Sequence, residues 1–426
     1  MIRILTDGVD PKSDILARPK EISEVAGAVR AILSAVSREG DAALFACAER
    51  YDGAKLTALE VPRAEIDAAY AAADPDFLRV LQQAGEKIRA FHQNQIRPGF
   101  QVSSGGVVMG QKVIPMERVG IYVPGGTAAY PSTVLMNAIP ARLAGVKELL
   151  LASPPTGGRV SPAVLAAARV AGVDRIFAMG GAQAVAAFAY GTESVPRADK
   201  IVGPGNAYVA EAKRQVAGTV GIDMIAGPSE VMIIADGASD ACAVAADLLA
   251  QAEHDANASS VLLTGSRKFA LAVQAETERQ LRALPREKIA RASIEHNGRI
   301  VLVKSMERAL TLANEFAPEH LELCVEDPFA WLGMVKNAGS VFLGRCCPEA
   351  LGDYLAGPNH TLPTGGCARF ASPLSVDDFV KKTQYTYFTA QALKDVAEDI
   401  ALFARAEGLE AHARSAQIRF SKEGRV

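Results

Sequence analysis

The feature that most constrains the fold of this chain is a regular alternation of short apolar runs with longer helical patterns, between about residues 119 and 343. Alternation of this kind is typical of βαβ units, in which parallel strands form a sheet covered by helices. The first series predicts helices at 133–144, 162–171, 183–190 and 206–217, separated by strands at 149–152, 175–179 and 200–202. We therefore expect a parallel-sheet α/β lobe here.

The same pattern restarts after Gly227-Pro228-Ser229. The second series predicts helices at 240–254, 267–283 and 306–316, with strands at 231–235, 261–264, 300–303, 321–325 and 340–343. Two α/β lobes that meet near residue 229 are therefore predicted. Neither contains a complete G-x-G-x-x-G motif, because the glycines of residues 180–183 are in the wrong register and those of residues 203–208 lack a third glycine.

The segment before these series predicts shorter elements. Amphipathic helices are expected at 20–36, from Asp41 onward and at 73–97, and strands at 99–123 with a hairpin turn at Ser104-Gly105-Gly106. The glycine pair Gly125-Gly126 follows the last strand, where backbone amides could approach a ligand, although an ordinary strand-to-helix turn is the alternative.

The end of the chain, residues 375–426, is predicted to be a helical tail. Its apolar stripe consists of Leu393, Val396, Ile400 and Phe403, and it must pack on its own core or on another subunit. The predicted organisation is an N-terminal segment 1–20, a main lobe 21–121 with 229–374, a second lobe 122–228, and the tail 375–426.

Composition excludes several classes of partner. Apolar residues make up 49% of the chain and charged residues 22%, with a formal net charge of −3. This balance provides neither the basic surface that nucleic acids require nor a polybasic membrane patch, so we expect small-molecule partners. Residues 1–14 lack an apolar signal core and the apolar runs are too short to span a membrane, which favours a cytoplasmic location. The scattered cysteines, including the adjacent Cys346 and Cys347, are expected to be reduced thiols.

One loop carries side chains that are well suited to chemistry. The glycines and prolines of residues 348–366 exclude a continuous helix, so Asp353 and His360 are expected on a shaped loop. A carboxylate and an imidazole are common ligands of divalent metals. Because the chain has only 6 histidines, His360 favours a functional site, although a polar loop that caps its own backbone is the alternative.

A second candidate site lies at the end of the predicted helix 240–254. Gln251 and His254 are three residues apart, which places them on one face of a helix and lets them approach the same atom. No His-Glu-x-x-His motif accompanies them, so a terminal histidine that favours the helix dipole is the alternative.

A third candidate is the pair Glu319 and His320, which follows Pro318. Neighbouring side chains of an extended segment diverge, so these two are expected to approach different points of one pocket. Histidine is a natural base near neutral pH and glutamate can activate water, whereas a surface Glu-His pair is the alternative.

Taken together, these motifs resemble those of the histidinol dehydrogenase family in order and approximate separation. The resemblance covers nearly the whole chain and includes Gln251-x-x-His254, Pro318-Glu319-His320, Gly352-Asp353-Tyr354, Gly357-Pro358-Asn359-His360, Glu407, His412, and residues 119–126, 180–183, 203–206 and 226–230. Four of the histidines fall on family motifs. The other two, His92 and His296, are expected at the surface.

The resemblance implies two parallel-sheet, incomplete Rossmann-like lobes with small helical N- and C-terminal segments. It implies NAD contacts at Tyr122, Gln183 and Asn206. It also implies a homodimer with composite active sites and one zinc ion per subunit, held by Gln251, His254, Asp353 and, from the partner subunit, His412. Substrate contacts would be Ser229, His320, His360 and Glu407 together with the zinc ligands.

The implied reaction is the four-electron oxidation of L-histidinol through L-histidinaldehyde to L-histidine, the last steps of histidine biosynthesis, with two NAD consumed. His320 would remove the carbinol proton and Glu319 would activate water, while zinc would orient the substrate. A relative that oxidises a dihydroxypropane sulfonate is the nearer alternative, but a sulfonate calls for Arg or Lys where this chain has Glu407. A non-catalytic metal-binding relative is the other alternative, and it would be expected to lose Glu319 or His320.

Overall fold

The computed structural model describes residues 1–19, 25–125 and 129–420. These residues fall into two compact units: the described parts of Met1–Gln95 and Met116–Phe379, and Ile96–Pro115 with the described residues from Val380 onward. Both parallel sheets belong to the first unit. The assignment of residues 122–228 and 229–374 to separate lobes stays a prediction.

The secondary structure is mixed. The strands are β1 (Arg3–Thr6), β2 (Phe100–Ser104), β3 (Val107–Pro115), β4 (Arg118–Tyr122), β5 (Glu148–Ser153), β6 (Arg175–Ala178), β7 (Lys200–Val202), β8 (Gly221–Ile222), β9 (Glu230–Ala235), β10 (Ser259–Thr264), β11 (Arg299–Leu302), β12 (His320–Cys324), β13 (Ser340–Leu343) and β14 (Val380–Phe388). The helices are α1 (Lys12–Ile15), α2 (Ala26–Glu39), α3 (Asp41–Tyr51), α4 (Arg63–Ala72), α5 (Pro75–His92), α6 (Pro131–Ala144), α7 (Pro162–Ala171), α8 (Gly181–Tyr190), α9 (Ala207–Val216), α10 (Ala241–Ala252), α11 (Arg267–Leu281), α12 (Glu287–His296), α13 (Met306–Phe316), α14 (Phe329–Leu332), α15 (Glu349–Tyr354), α16 (Ala390–Ala406) and α17 (Glu410–Gln417).

The first parallel sheet has the strand order β6-β5-β4-β7-β8 among the described residues. Val119 and Ile121 of β4 pack in a cluster with α6 and α7, whereas Tyr122 packs in a cluster with α8 and α9, so helices cover both faces. This order equals that of the first five strands of a Rossmann fold, with the change of direction between β4 and β7. The prediction of an incomplete Rossmann-like lobe is confirmed.

The second parallel sheet has the order β1-β11-β10-β9-β12-β13. Its apolar faces pack against α10, α11 and α12 on one side and against α13 on the other. Among the differences from the sequence-based expectations, Arg3–Thr6 is an edge strand paired with β11 rather than part of a helical segment, and α12 was not predicted. The strands of both parallel sheets are near-continuous apolar runs in the sequence because they are buried on both faces.

The second unit corrects the prediction of an all-helical tail. Residues Val380–Phe388 form β14, which pairs antiparallel with β3 in a sheet of order β14-β3-β2. The sequence Lys381-Lys382-Thr383-Gln384 lacks apolar alternation because β14 is exposed over most of its length, so the strand had no periodic signal. Its pairing partner lies more than 250 residues earlier in the chain.

The helices α16 and α17 of the second unit bury small residues. The buried positions of α16 are Ala392, Ala397, Ala401 and Ala404. The predicted apolar stripe lies largely outside this face, since Ile400 is 39% exposed and Phe403 is 71% exposed, and Leu402 beside them is 72% exposed. An apolar face of this kind on a surface helix is typical of an interaction site.

Two of the predicted segments extend outside the described residues. The start of the helix predicted at 20–36 and the residues Gly126-Thr127 lie outside the described part of the chain. None of the six cysteines, all of which lie in the described ranges, forms a disulfide, which agrees with the prediction of reduced thiols. Within the described residues, no helix combines the length and apolar character needed to cross a membrane.

The expectation that His92 is a surface residue is wrong. His92 is fully buried at the end of α5, where its Nδ1 lies 2.7 Å from Gln95 Oε1 and its Nε2 has no hydrogen-bond partner. Burial lowers the pKa of His92, and the hydrogen bond with Gln95 only partly opposes that effect. His296 is exposed, as predicted.

This burial predicts a specific pH dependence of stability. Because the native pKa of His92 is lowered, the unfolded chain binds a proton at this residue at a higher pH than the native chain, near pH 6.5. His92 therefore contributes a loss of stability as pH falls below that value. In urea unfolding between pH 7 and pH 5, H92Q should lower the free energy of unfolding at neutral pH but show a shallower decline with acid. H296Q, the exposed control, should follow the parent; equal slopes for H92Q and the parent contradict this interpretation.

Candidate active site

Glu319 and His320 stand at the start of β12 and are both buried. Glu319 Oε2 accepts a hydrogen bond from the backbone N–H of Glu230 at 2.9 Å, and His320 Nδ1 lies 3.2 Å from the backbone carbonyl oxygen of Glu230. The prediction that the two side chains diverge needs correction, because His320 Nδ1 is 3.7 Å from Glu319 Oε2. β12 lies directly beside β9, and both side chains turn to the first residue of that strand.

These contacts define the protonation of His320. A carbonyl oxygen only accepts hydrogen bonds, so Nδ1 carries the proton and Nε2 keeps its lone pair. Burial lowers the pKa of His320 to about 4, although the charge of Asp353 and the bond to Glu230 oppose that effect. Burial also raises the pKa of Glu319 well above its usual value. His320 is therefore a neutral imidazole near pH 7, able to accept a proton at Nε2.

Asp353 and His360 form the next contact of the site. His360 Nδ1 lies 3.6 Å from Asp353 Oδ1, and its Nε2 lies 3.3 Å from Thr133 Oγ1 of α6. Asp353 is in the last turn of the short helix α15 rather than on an irregular loop as predicted, whereas His360 is on the loop that follows. Burial alone would raise the pKa of Asp353, but the bond to His360 and the charges of His360, His320 and His254 hold it below its usual value.

Gln251 and His254 lie at and just beyond the end of α10. The helix ends at Ala252, two residues earlier than predicted, and the backbone N–H of His254 donates to the carbonyl of Gln251 at 3.2 Å. Gln251 is 1% exposed, and its Oε1 is buried without a hydrogen-bond partner. An unpaired buried amide oxygen costs about 1–3 kcal/mol, which identifies this atom as one that needs a further partner.

A metal ion is the kind of partner that these residues fit. Gln251 supplies a free oxygen, and the effect of His254 on the pKa of Asp353 puts both in one electrostatic environment. In the described ranges 1–19, 25–125 and 129–420, no three His, Cys, Asp or Glu side chains are grouped to hold a metal. The predicted zinc set would not appear as such a group, since one ligand is a glutamine and another, His412, belongs to the second unit.

No sequence pattern indicated the buried carboxyl groups near this site. Glu322 of β12 is fully buried, and its Oε1 accepts the backbone N–H of Glu349 at 2.8 Å. Burial and the charge of Asp247 raise the pKa of Glu322 to about 8, while burial and the charges of Asp353, Glu322 and Glu319 raise that of Glu349 well above its usual value. A cation bound beside these carboxyl groups would favour their ionised forms and lower their pKa values.

The residues predicted to contact NAD lie at the carboxyl end of the five-stranded sheet. Tyr122 ends β4, and its hydroxyl oxygen accepts the backbone N–H of Gly181 at 3.0 Å; burial raises the pKa of Tyr122 to about 12. Gln183 is buried in the first turns of α8, with Nε2 3.5 Å from Asp52 Oδ2. Asn206 caps α9, and its Oδ1 accepts from the backbone N–H groups of Tyr208 and Val209.

Two features of this edge suit a nucleotide. A cavity of about 810 Å³ is lined by the loops that follow β4 and β5 and by α4, although Tyr122, Gln183 and Asn206 are not among its lining residues. Gly203, which follows β7, has φ +105°, and a Cβ there would lie 2.1 Å from the backbone oxygen of Tyr122, so only glycine permits this close approach at the change of direction.

The remaining predicted site residues, Ser229, Glu407 and His412, are divided between the two units. Ser229 is half-buried immediately before Glu230, and its carbonyl accepts the backbone N–H of Ser259 at 3.0 Å. Glu407 ends α16 and His412 lies in α17, both exposed in the second unit. The part that Glu407 and His412 play in the site stays a prediction.

The five-stranded sheet in Rossmann order and the buried histidine beside a carboxyl group are features of an α/β enzyme. The family model described as histidinol dehydrogenase matches residues 16–420. Histidinol dehydrogenase of Bacillus thuringiensis subsp. konkukian is 53% identical over 93% of this chain and 92% of its own length. That of Geobacter sulfurreducens is 53% identical over 95% of this chain and 96% of its own length.

A solved structure agrees with these sequences. The crystal structure of histidinol dehydrogenase from Elizabethkingia anophelis superposes with a TM-score of 0.93 and 38% sequence identity, covering 98% of each chain. The chain belongs to the histidinol dehydrogenase family.

Proposed function

We propose that this protein oxidises L-histidinol through L-histidinaldehyde to L-histidine, the last steps of histidine biosynthesis, with two NAD as acceptors. The observation that carries the proposal is the buried His320 beside Glu319, both bonded to the backbone of Glu230, in a chain of the histidinol dehydrogenase family. The alternative of a sulfonated diol is not favoured, since the related proteins bear the name histidinol dehydrogenase.

His320 acts first as a general base. Its Nε2 accepts the proton of the substrate hydroxyl while hydride leaves the carbinol carbon, and the proton already on Nδ1 stays bonded to the carbonyl of Glu230. NAD supplies the acceptor for each hydride. Base catalysis of this kind typically contributes on the order of 10²–10⁴ in rate.

Glu319 serves the second oxidation. The aldehyde must add water before a second hydride can leave, and Glu319, in its ionised form, removes a proton from that water. The hydrogen bond from the Glu230 N–H stabilises its charged form, which burial otherwise disfavours. One pocket with two adjacent bases thus serves both steps without release of the aldehyde.

We propose that Gln251, His254, Asp353 and His412 of the partner subunit hold one zinc ion. When bound, zinc would anchor and orient the imidazole and amine of the substrate. The free Oε1 of Gln251 and the low pKa of Asp353 support this donor set. Ser229, His360 and Glu407 complete the substrate contacts, and the buried carboxyl groups near Glu349 suit a substrate that carries an amine.

NAD is proposed to bind at Tyr122, Gln183 and Asn206, beside the cavity at the carboxyl ends of β4 and β5. A homodimer is supported by the apolar face of α16, where Leu402 and Phe403 are exposed in the single chain. We also propose a cytoplasmic enzyme, since cysteines without disulfides suit a reducing compartment.

The proposed activity predicts a stoichiometry and a metal requirement. Incubated with limiting L-histidinol and excess NAD, the enzyme should form two NADH per substrate, and a sulfonated diol should give none. Removal of zinc, verified by elemental analysis, should abolish turnover, and added zinc should restore it. A yield of one NADH would limit the enzyme to the first oxidation, and full activity of the metal-free protein would refute the zinc site.

The proposed composite site predicts complementation between inactive variants. Q251A and H412A homodimers each carry a defect in both sites. In a mixed dimer one site carries both defects and the other is intact, so subunit exchange should restore activity at one of its two sites. The measurement is NADH formation after mixing, with exchange followed by differently tagged subunits.

A matched control separates this effect from simple stabilisation. Mixing Q251A with H254A should restore nothing, because both ligands come from the same chain and every site of the mixed dimer keeps one defect. Recovery in the control, or none in the first mixture despite exchange, contradicts a site built from two chains.

A further inference from the structure

Arg18, which comes shortly after the short helix α1, has no role in the proposed chemistry, yet its guanidinium group makes an unusual set of contacts. Arg18 Nε lies 2.5 Å from Glu230 Oε1, and Nη2 lies 3.0 Å from Glu230 Oε2. Nη2 also donates to the backbone carbonyl of Phe316 at 2.5 Å, and the guanidinium stacks 3.8 Å from the centre of the Phe316 ring. We call these contacts to Glu230 and Phe316 the Arg18 bridge.

Glu230, one partner of Arg18 in the Arg18 bridge, also contacts both catalytic residues. Glu230 is 2% exposed, so its side chain is held in a dry environment by Arg18. The backbone N–H of the same residue donates to Glu319, and its carbonyl lies against Nδ1 of His320. The position of the Glu230 backbone thus determines the orientation of both catalytic side chains.

Phe316, the other partner of Arg18, precedes the turn that leads to Glu319 and His320. Phe316 ends α13, and Ala317, the next residue, has φ +52°, the only positive φ of a non-glycine residue in the described ranges. This left-handed residue turns the chain from α13 into Pro318 and Glu319, and such a strained conformation persists only where the surroundings hold it. Arg18 bonds the carbonyl of Phe316 and approaches that of Ala317 at 3.4 Å.

We propose that Arg18 is a positioning residue for Glu319 and His320, acting through the backbone of Glu230 and the turn at Ala317. The proposal rests on the catalytic roles assigned above to Glu319 and His320. Arg18 touches neither residue and is not a catalytic group. Its contribution is to hold two separate segments of backbone, β9 and the turn before β12, in the one arrangement that aligns both bases.

Removal of Arg18 affects both of its partners, Glu230 and Phe316. Burial already raises the pKa of Glu230, and hydrogen bonding to Arg18 is the largest opposing effect. Without that cation the buried carboxyl group keeps only the backbone hydrogen bond from Gly365 and the charge of Arg299, and the carbonyl of Phe316 loses its donor. The backbone of Glu230 and the turn at Ala317 can then shift, and a misplacement near 1 Å at a reacting group costs on the order of 10² in rate.

The experiment compares R18A, R18K and a matched control. R308A removes a similar paired arginine, which bonds Asp7 at 2.7 and 2.8 Å and also ties the N-terminal segment to α13, without contact to Glu230. For R18A we expect kcat to fall about tenfold to hundredfold with little change in KM for histidinol. Free guanidinium at millimolar concentration should restore part of kcat in R18A but have no such effect on R308A. R18K, which keeps the charge but not the paired geometry, should be intermediate.

The outcomes decide between a positioning role and a structural one. Folding is followed by thermal unfolding and dimer content. If R18A and R308A lose the same stability and the same kcat, or if folded R18A keeps kcat within about twofold of the parent, the proposal fails. Should R18A not fold, E230Q keeps the shape of the side chain and takes its place: it should lower kcat with KM maintained, and normal kcat in E230Q overturns the proposal.

A separate pair of variants keeps this inference distinct from the proposed function. H320N and E319Q should each lose activity if those residues are the bases. If both remain active, the catalytic assignment fails whatever R18A does. If both lose activity while R18A is unaffected, the assignment stands and the positioning role of Arg18 is refuted.

Discussion

The site depends on the two hydrogen bonds that the backbone of Glu230 makes with Glu319 and His320. They exist because β9 and β12 are adjacent parallel strands, with His320 in register with Val231. The N–H and the carbonyl of one residue therefore hold a carboxyl group and an imidazole together. The bond from the N–H favours a charged Glu319, and the carbonyl fixes the proton of His320 on Nδ1.

The rest of the fold supplies what these bonds require. The six-stranded sheet buries both side chains, so that His320 is neutral, and the buried carboxyl groups around Glu349 make the same region suit cations. The five-stranded sheet carries its candidate nucleotide residues at the carboxyl ends of its strands, as open α/β sheets usually do. The catalytic pair instead lies at the amino ends of β9 and β12, where that rule predicts no site.

Much of this arrangement is predictable from the sequence, and the exceptions have physical reasons. Helices such as α7 and α13 match their predicted bounds because their apolar periodicity is strong. β14 was not predicted because its exposed sequence shows no alternation of apolar and polar residues and because its partner β3 is distant in the chain. The candidates on the loop 348–366, at the end of α10 and in the Glu319-His320 pair came from local sequence patterns, and the remaining ones from a family resemblance. Neither predicted the contact of Glu319 and His320 with Glu230, because it joins residues some 90 positions apart. For the same reason no local pattern pointed to Arg18.

The catalytic role of His320 requires a neutral imidazole with its proton on Nδ1 and a free Nε2. Nitrogen-15 NMR of histidine-labelled enzyme reports this directly, because each imidazole state has its own pattern of shifts and couplings. With 6 histidines in the chain, H320N identifies the signal. We predict the Nδ1–H tautomer at pH 7, persisting without protonation to about pH 5, since the pKa of His320 lies near 4. An imidazolium at pH 7, or a proton on Nε2, would contradict the account.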